Sequence, residues 1–442
     1  MNAPPKQANS STSLAVNFGA GLRSPVTHTF ATTLLIVAFG VISGVQLARV
    51  LGPQGRGEIA AALLWPGLLV YLAGLGLSQA VAVFAAGESK ERISIVFSTA
   101  SCLGLGLSAA AVCVGAFLIP ILLRSQTSEV VRAGRVFLPM IPAGMLSLFI
   151  VATLQGHSSF LKLNFVRMIT PLGYVGGITC LTLAHRLTVL NVILVQLALS
   201  YLTLIIGYLM LIRDQIHFSP AHFEIRLAGR LLGFGTKAYM GTLTGTVNQR
   251  FDQTLLAAWF PAEQLGLYSV AVSAASAADT IGFAFRTVAS ARIARQSELS
   301  KKTAELRRIL ARFWPILVGG TMLLALLLPV LIPFFYGKAF RGSILPAEIL
   351  LIAQVFYTAK SLLTSAAEAF GDSWLGSKAE LIGSGPMVLL LLLLLPKFGI
   401  IGAAFASLVA YAVQLAVMFL GFSNKGLMQK QATATLQAQL RE

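Results

Sequence analysis

Charge is what this sequence has least of. Only 11% of its 442 residues are Asp, Glu, Lys or Arg, while 56% are hydrophobic, and the mean hydropathy is +0.80. Soluble domains carry about 25% charged residues, enough to cover a surface, so a water-soluble globule is excluded. Acidic groups are the scarcer sign, 16 against 33 basic ones. Cysteine is nearly absent: Cys102, Cys113 and Cys180 lie inside apolar runs, which excludes a disulfide framework and a thiolate metal site. Five histidines show no HExxH or other ligand spacing. Neither a metal nor a cofactor is expected. "GFGTK" at 233–237 lacks the Gly directly before Lys that a phosphate-binding loop needs, so ATP hydrolysis is not expected. The N-terminus has no charged segment running straight into an apolar one, and no cleaved signal peptide is expected.

What the chain has is long apolar runs. No Asp, Glu, Lys or Arg occurs between Glu58 and Glu88, from Ile93 to Leu123, Leu187 to Ile212, Phe313 to Gly337, or Phe398 to Asn424. About 20 apolar residues cross a bilayer as a helix. The runs are continuous rather than alternating, which argues against a β-barrel. The sequence predicts an all-α polytopic membrane protein of about twelve spans, centred in 26–48, 59–86, 94–123, 134–156, 166–185, 188–212, 230–257, 264–286, 309–336, 345–370, 377–396 and 399–422. With the N-terminus inside, the basic residues gather on the cytoplasmic segments, most densely in "ARIARQSELSKKTAELRRILARF" at 291–313; fewer lie opposite, Arg49 and Arg56 among them. Both termini are therefore expected in the cytoplasm. The same bias accounts for the net charge of +17 without nucleic acid. The 291–313 cluster reads as a topogenic, interfacial helix on anionic lipid.

The chain also repeats itself. "RVLGPQGRGEIAAA" (49–62), laid over "AWFPAEQLGLYSVA" (258–271), puts Gly57 on Gly266. Further on, "LIP" at 118–120 meets "LIP" at 331–333, and "TLQGHSSF" at 153–160 meets "EAFGDSWL" at 368–375. Two parallel six-helix lobes are expected, 1–212 and 230–424, with a polar linker at 213–229 and a cytoplasmic tail at 425–442. Paired lobes around a cavity suit a transporter. The polar break "ARVLGPQGRGEIAA" (48–61) then reads as the turn between spans one and two, ended by Gly52 and Pro53 and reversed by Gly55 and Gly57.

At these residues a family resemblance enters. "ARVLGPQGRGEIA" resembles the end of the first helix of polysaccharide-biosynthesis membrane proteins. "VNQRFDQTLLAAWFPAEQLGLYSVA" (247–271) is similar to their seventh-helix signature, with Pro261 where many relatives carry Gly, and "LQG" at 154–156 fits the end of their fourth helix. The resemblance implies the Wzx-type oligosaccharide-lipid flippases of the multidrug/oligosaccharidyl-lipid/polysaccharide (MOP) exporter superfamily, with a MATE-like fold. These move lipid-linked sugars across the bacterial inner membrane. It also implies a lipid-linked oligosaccharide substrate, contact with membrane lipid, and polysaccharide polymerase or assembly proteins as further partners.

A flippase makes and breaks no covalent bond, so no catalytic residue is expected. It needs a polar path and cations for phosphate. Ionisable side chains inside spans cost about 2.5–3.5 kcal/mol each and face a cavity or a partner. Five stand out: Arg250, Asp252, Asp279, Lys360 and Glu368, all in the second half; their first-half counterparts are Val41, Ser43, Val70, Met145 and Thr153. In span seven Thr242, Thr246, Arg250 and Thr254 form one stripe, and Asn248 and Asp252 a second. In span ten Gln354, Tyr357, Ser361, Thr364, Ser365 and Glu368 follow helical spacing beside Lys360. Arg250 suits bidentate phosphate binding and Lys360 binds as a point charge, with Asn248 and Tyr357 beside them in the cavity. Asp252, Asp279 and Glu368 are the candidates for ion coupling. Each charge has a structural alternative, pairing across helices. Asp279 and Arg286 are two turns apart, and no direct bond between them is expected.

The favoured function is translocation of undecaprenyl-diphosphate-linked oligosaccharide, for O-antigen or exopolysaccharide, by alternating access. A MATE-type drug/cation antiporter is the alternative, although it would want a negative cavity. A membrane polymerase or glycosyltransferase is weaker still, since the outer loops are short and lack clustered carboxylates.

Overall fold

A computed structural model describes residues 25–294, 299–370, 372 and 374–439. The expected unprocessed N-terminus and part of the 291–313 cluster lie outside the described residues. The described chain is helical throughout, with no strand. In order the helices are α1 (Pro25–Gly74), α2 (Leu77–Phe84), α3 (Lys90–Leu122), α4 (Ser128–Phe137), α5 (Met140–Gly156), α6 (Phe160–Leu183), α7 (Val189–Arg213), α8 (Ile225–Trp259), α9 (Ala262–Ala294), α10 (Leu299–Tyr336), α11 (Ile344–Ala369) and α12 (Trp374–Gln439). Short 3₁₀ turns occupy Pro220–His222 and Lys338–Ser343.

Seven helices among the described residues are long and apolar enough to cross a membrane, eight if the bent pair α4–α5 is one span. α1 and α12 are each interrupted once, at Gly52 (φ 65°) and Gly399 (φ 55°); α12 contains two of the expected spans, and α1 contains the first and the start of the second, which continues into α2. α8 and α9 fall outside the apolar set, and they carry Arg250, Asp252, Asp279 and Arg286. The outer face is greasy: Phe117 is 79% exposed, and Leu183 and Leu326 are each 76% exposed. Such side chains find a favourable solvent only in lipid.

Local chemistry sets the helix ends. Ser89, Thr127 and Thr188 cap α3, α4 and α7, each side chain accepting from the backbone N–H three residues on. Gly52 takes the left-handed conformation that breaks α1, and Pro53 restarts it, a residue suited to the first helical turn. Gly57 has a different role from the expected reversal. A Cβ placed on it would lie 1.6 Å from the Ala262 carbonyl oxygen, and one on Gly266 would lie 1.9 Å from the Pro53 carbonyl oxygen. The contact is reciprocal: Pro53 and Gly57 correspond to Ala262 and Gly266 in the repeat alignment. The two halves therefore touch, backbone on backbone, at equivalent positions.

The 213–229 segment is stitched to α3 in the first half. Ser94 Oγ accepts from His217 N–H (3.1 Å), Ser98 Oγ from Ser219 N–H (3.0 Å) and Thr99 Oγ1 from Glu224 N–H (3.2 Å). Arg92 and Glu224 add an ion pair at 2.8 Å. Beyond it, Tyr239 Oη donates to the Tyr71 carbonyl, so the first turns of α8 also lie on the first half.

Gly57→Val and Gly266→Val are each expected to cost about 3 kcal/mol or more, because backbone rather than a pliable side chain blocks the added carbons. Gly106→Ala, where a Cβ meets nothing within 4 Å, is expected to be neutral. Thermal unfolding in detergent checks both; equal midpoints for all three variants would remove the close crossing.

Candidate functional site: a central cavity

A cavity of about 550 Å³ opens between the halves. α1 contributes Ser43, Arg56 and Tyr71, α6 Tyr174 and α7 Gln196, facing Thr246, Arg250 and Gln253 of α8 and Ser269 and Ser273 of α9. The Thr246–Arg250 stripe of α8 therefore faces this space, one helical turn apart, as its spacing predicts.

Two guanidinium groups line the cavity, and among the described residues no carboxylate pairs with either. Arg250 is exposed into the space, and its Nη1 donates to Gln253 Oε1 at 3.3 Å. Arg56 enters from the opposite half. Its Nη2 lies 3.5 Å from where a Gly44 Cβ would stand, so the absence of a side chain at Gly44 leaves the guanidinium its place. Its Nε is sealed from solvent without a partner, as are Gln196 Oε1 and Gln253 Nε2 on the same walls. Buried polar atoms are nearly always satisfied, and leaving one unmade costs about 1–3 kcal/mol. Two unpaired cations and three unsatisfied polar atoms around one space describe a site for an anion with hydrogen-bonding capacity.

The other expected site residues are distributed differently. Lys360 is 4% exposed and ion-paired with Glu380. Asn248 Nδ2 donates to Glu380 Oε2 (3.2 Å) and Ser384 Oγ donates to Asn248 Oδ1 (3.0 Å). Neither Lys360 nor Asn248 lines the cavity. They form a clamp across α8, α11 and α12, because a buried ammonium takes the nearest carboxylate. Asp252 is held by Gln253 N–H (2.7 Å), Tyr268 Oη and Ser407 Oγ (3.4 Å), joining α8 to α9 and α12. Asp279, expected not to reach Arg286, accepts from its Nη1 at 2.9 Å. Helical side chains lean toward the N-terminus, and the long arginine spans both turns in that direction. Glu368 is exposed near the end of α11 and lines neither cavity. Tyr357 sits in a smaller alcove of the second half, accepting from Gln249 Nε2.

Arg56, Glu380, Tyr174, Gln196 and Gln253 were not expected. The expected ionised residues all lie in the second half, and Arg56 adds a cation to the cavity from the first. Gly52–Pro53 held the signal: a helix restarting at Pro53 puts Arg56 inside a span rather than in a turn.

The sequence profile described as "Polysaccharide biosynthesis protein" matches residues 46–345. The chain belongs to the polysaccharide biosynthesis protein family. This family member is 23% identical over 379 residues to a Shigella flexneri protein named "Putative O-antigen transporter", across 81% of this chain and 87% of that one. Its fold is similar to an inward-facing multidrug resistance MATE family transporter of the MOP superfamily (TM-score 0.73, 13% identity, 89% of this chain and 96% of that one). It is equally similar to the lipid II flippase MurJ in an inward closed conformation (TM-score 0.73, 16% identity, 89% and 87%). In this polysaccharide biosynthesis protein, then, a MOP-type fold surrounds a cationic cavity.

Lys360→Met alone leaves Glu380 buried without a counter-charge and is expected to cost about 3–5 kcal/mol. Lys360→Met with Glu380→Leu is expected to recover most of that loss. Thermal unfolding of the two variants and wild type checks it; a double variant no more stable than the single one would show that the pair does not act as a unit.

Proposed function

We propose that this protein is a flippase for undecaprenyl-diphosphate-linked oligosaccharide, serving O-antigen or exopolysaccharide synthesis, and that the central cavity holds the diphosphate between Arg56 and Arg250. The observation that carries the reading is the pair of unpaired guanidinium groups on opposite walls of one cavity. Family membership and the resemblance to an O-antigen transporter and to MurJ support it. The MATE likeness has the same TM-score, so the fold does not choose between cargoes. Charge does: a cavity lined by two bare cations repels a cationic drug and attracts phosphate.

The protein works in the bacterial inner membrane with both termini in the cytoplasm, and its two six-helix lobes, 1–212 and 230–424, rock about the cavity. It is a transporter rather than an enzyme. In this orientation the halves are latched at the extracytoplasmic end. Arg49 donates to the Phe334 and Phe335 carbonyls, Ser125 to Ala258 O (2.7 Å), and Gln126 to Ala257 O (2.8 Å) and Phe260 O (2.7 Å), beside the Gly57–Gly266 crossing. Substrate enters from the cytoplasmic side. The diphosphate neutralises both arginines and draws the walls together, while the prenyl tail stays in lipid. Opening outward breaks the latch and hands the saccharide to polymerase or assembly proteins. Because 213–229 and the first turns of α8 are hydrogen-bonded to the first half, the second lobe pivots within α8, beyond Tyr239. Drive comes from an ion gradient or the substrate gradient.

Arg56→Ala and Arg250→Ala are each expected to lower flipping by about 10- to 100-fold, since a charge-assisted hydrogen bond contributes about 1.5–3 kcal/mol. Lysine at either position is expected to restore part of it. The assay is appearance of lipid-linked sugar on the outer face of proteoliposomes, with protein level and folding matched. Normal rates in both alanine variants would sink the proposal.

A further inference from the structure

We propose that the alcove in the second half is a saccharide subsite, which receives the sugar ring attached to the diphosphate and thereby selects the lipid-linked sugar. This rests on the flippase reading. The alcove has a volume of about 130 Å³ and lies among α8, α9, α11 and α12. Arg250 and Gln253 line both it and the central cavity, so the two spaces meet at these side chains. An anion seated on Arg250 therefore has its next substituent at the alcove mouth. The space is on the scale of one ring, and the remaining sugars stay in the larger cavity.

Its chemistry fits a neutral polyol. Gln354 brings an amide, Gln249 an amide that donates to Tyr357 Oη, and Ser276 a hydroxyl that donates to Val272 O, while Tyr357 and Tyr411, 5.2 Å apart at 52°, add aromatic surface for the C–H side of a sugar. A cation fits poorly, because both carboxylates are engaged: Asp252 by Tyr268, Ser407 and the Gln253 N–H, Asp279 by Arg286. Gln253 is the independent pointer to a ligand. It is 6% exposed, its Oε1 accepts from Arg250, and its Nε2 donor has no partner in the protein. A sugar hydroxyl at the junction would satisfy that donor.

Binding of two lipids to the purified full-length protein tests this. One is undecaprenyl diphosphate; the other is the lipid-linked oligosaccharide that accumulates in host membranes when this gene is deleted. Gln354→Leu and Tyr411→Leu are expected to weaken the saccharide lipid about tenfold and to leave undecaprenyl diphosphate unchanged, whereas Arg250→Ala weakens both. A second measurement avoids disruptive changes. In a chain with its three native cysteines replaced by serine, Ser276→Cys is alkylated by a maleimide, and the saccharide lipid is expected to slow that reaction about tenfold while undecaprenyl diphosphate does not. Equal effects of both lipids, or no effect of either on the alcove, overturns the subsite. A wild-type protein that binds neither lipid overturns the flippase reading instead.

Discussion

A bare guanidinium is costly inside a protein that is itself inside a membrane. Hydrocarbon offers it no counter-charge, so it needs a cavity or a partner. Arg56 and Arg250 are held in that condition on facing walls, without a carboxylate among the described residues to pair with. The rest of the structure reads as support for this arrangement: helices that keep backbone polar groups satisfied, a greasy exterior, and a cavity between the halves. The cost is tolerable if the missing counter-charge is the cargo. On the proposed flippase reading, an empty cavity favours separated walls and a filled one lets them approach, which would couple occupancy to the position of the halves.

The remaining intramembrane charges show the contrast. Lys360 has Glu380, Asp279 has Arg286, and Asp252 has three hydrogen-bond donors. Each tie crosses between helices or turns of the second half. Lys360, Asp279 and Asp252 meet partners inside the second half, whereas the two arginines of the central cavity meet no carboxylate among the described residues. The distinction lies in the neighbours, because span position alone assigns the same cost to both sets.

The Gly57–Gly266 crossing adds the mechanical constraint. Equivalent residues of the repeats meet at one end of the molecule with no side chain between the backbones, so that end closes tightly. The linker and the start of α8, hydrogen-bonded to the first half, leave no loose hinge there. On the proposed rocking motion, the bend falls inside a helix, in the glycine- and threonine-rich stretch between Tyr239 and Arg250.

Much was legible from the chain alone. Charge depletion and uninterrupted apolar runs determined a helical membrane protein, since hydrocarbon accepts no other continuous span. Punctuation such as Gly52–Pro53 located the break in α1, and the paired motifs pointed to Gly57 and Gly266, which meet in the fold. The polar stripe placed Thr246 and Arg250 toward a common space, because helical periodicity is a local property. What it could not determine was which charge meets which. Lys360 looked as available for phosphate as Arg250 until Glu380 arrived from α12, and Arg56 looked like part of a turn until α1 carried it to the cavity wall. Pairing depends on groups remote in sequence reaching within a few ångströms, and only the packed helices decide that.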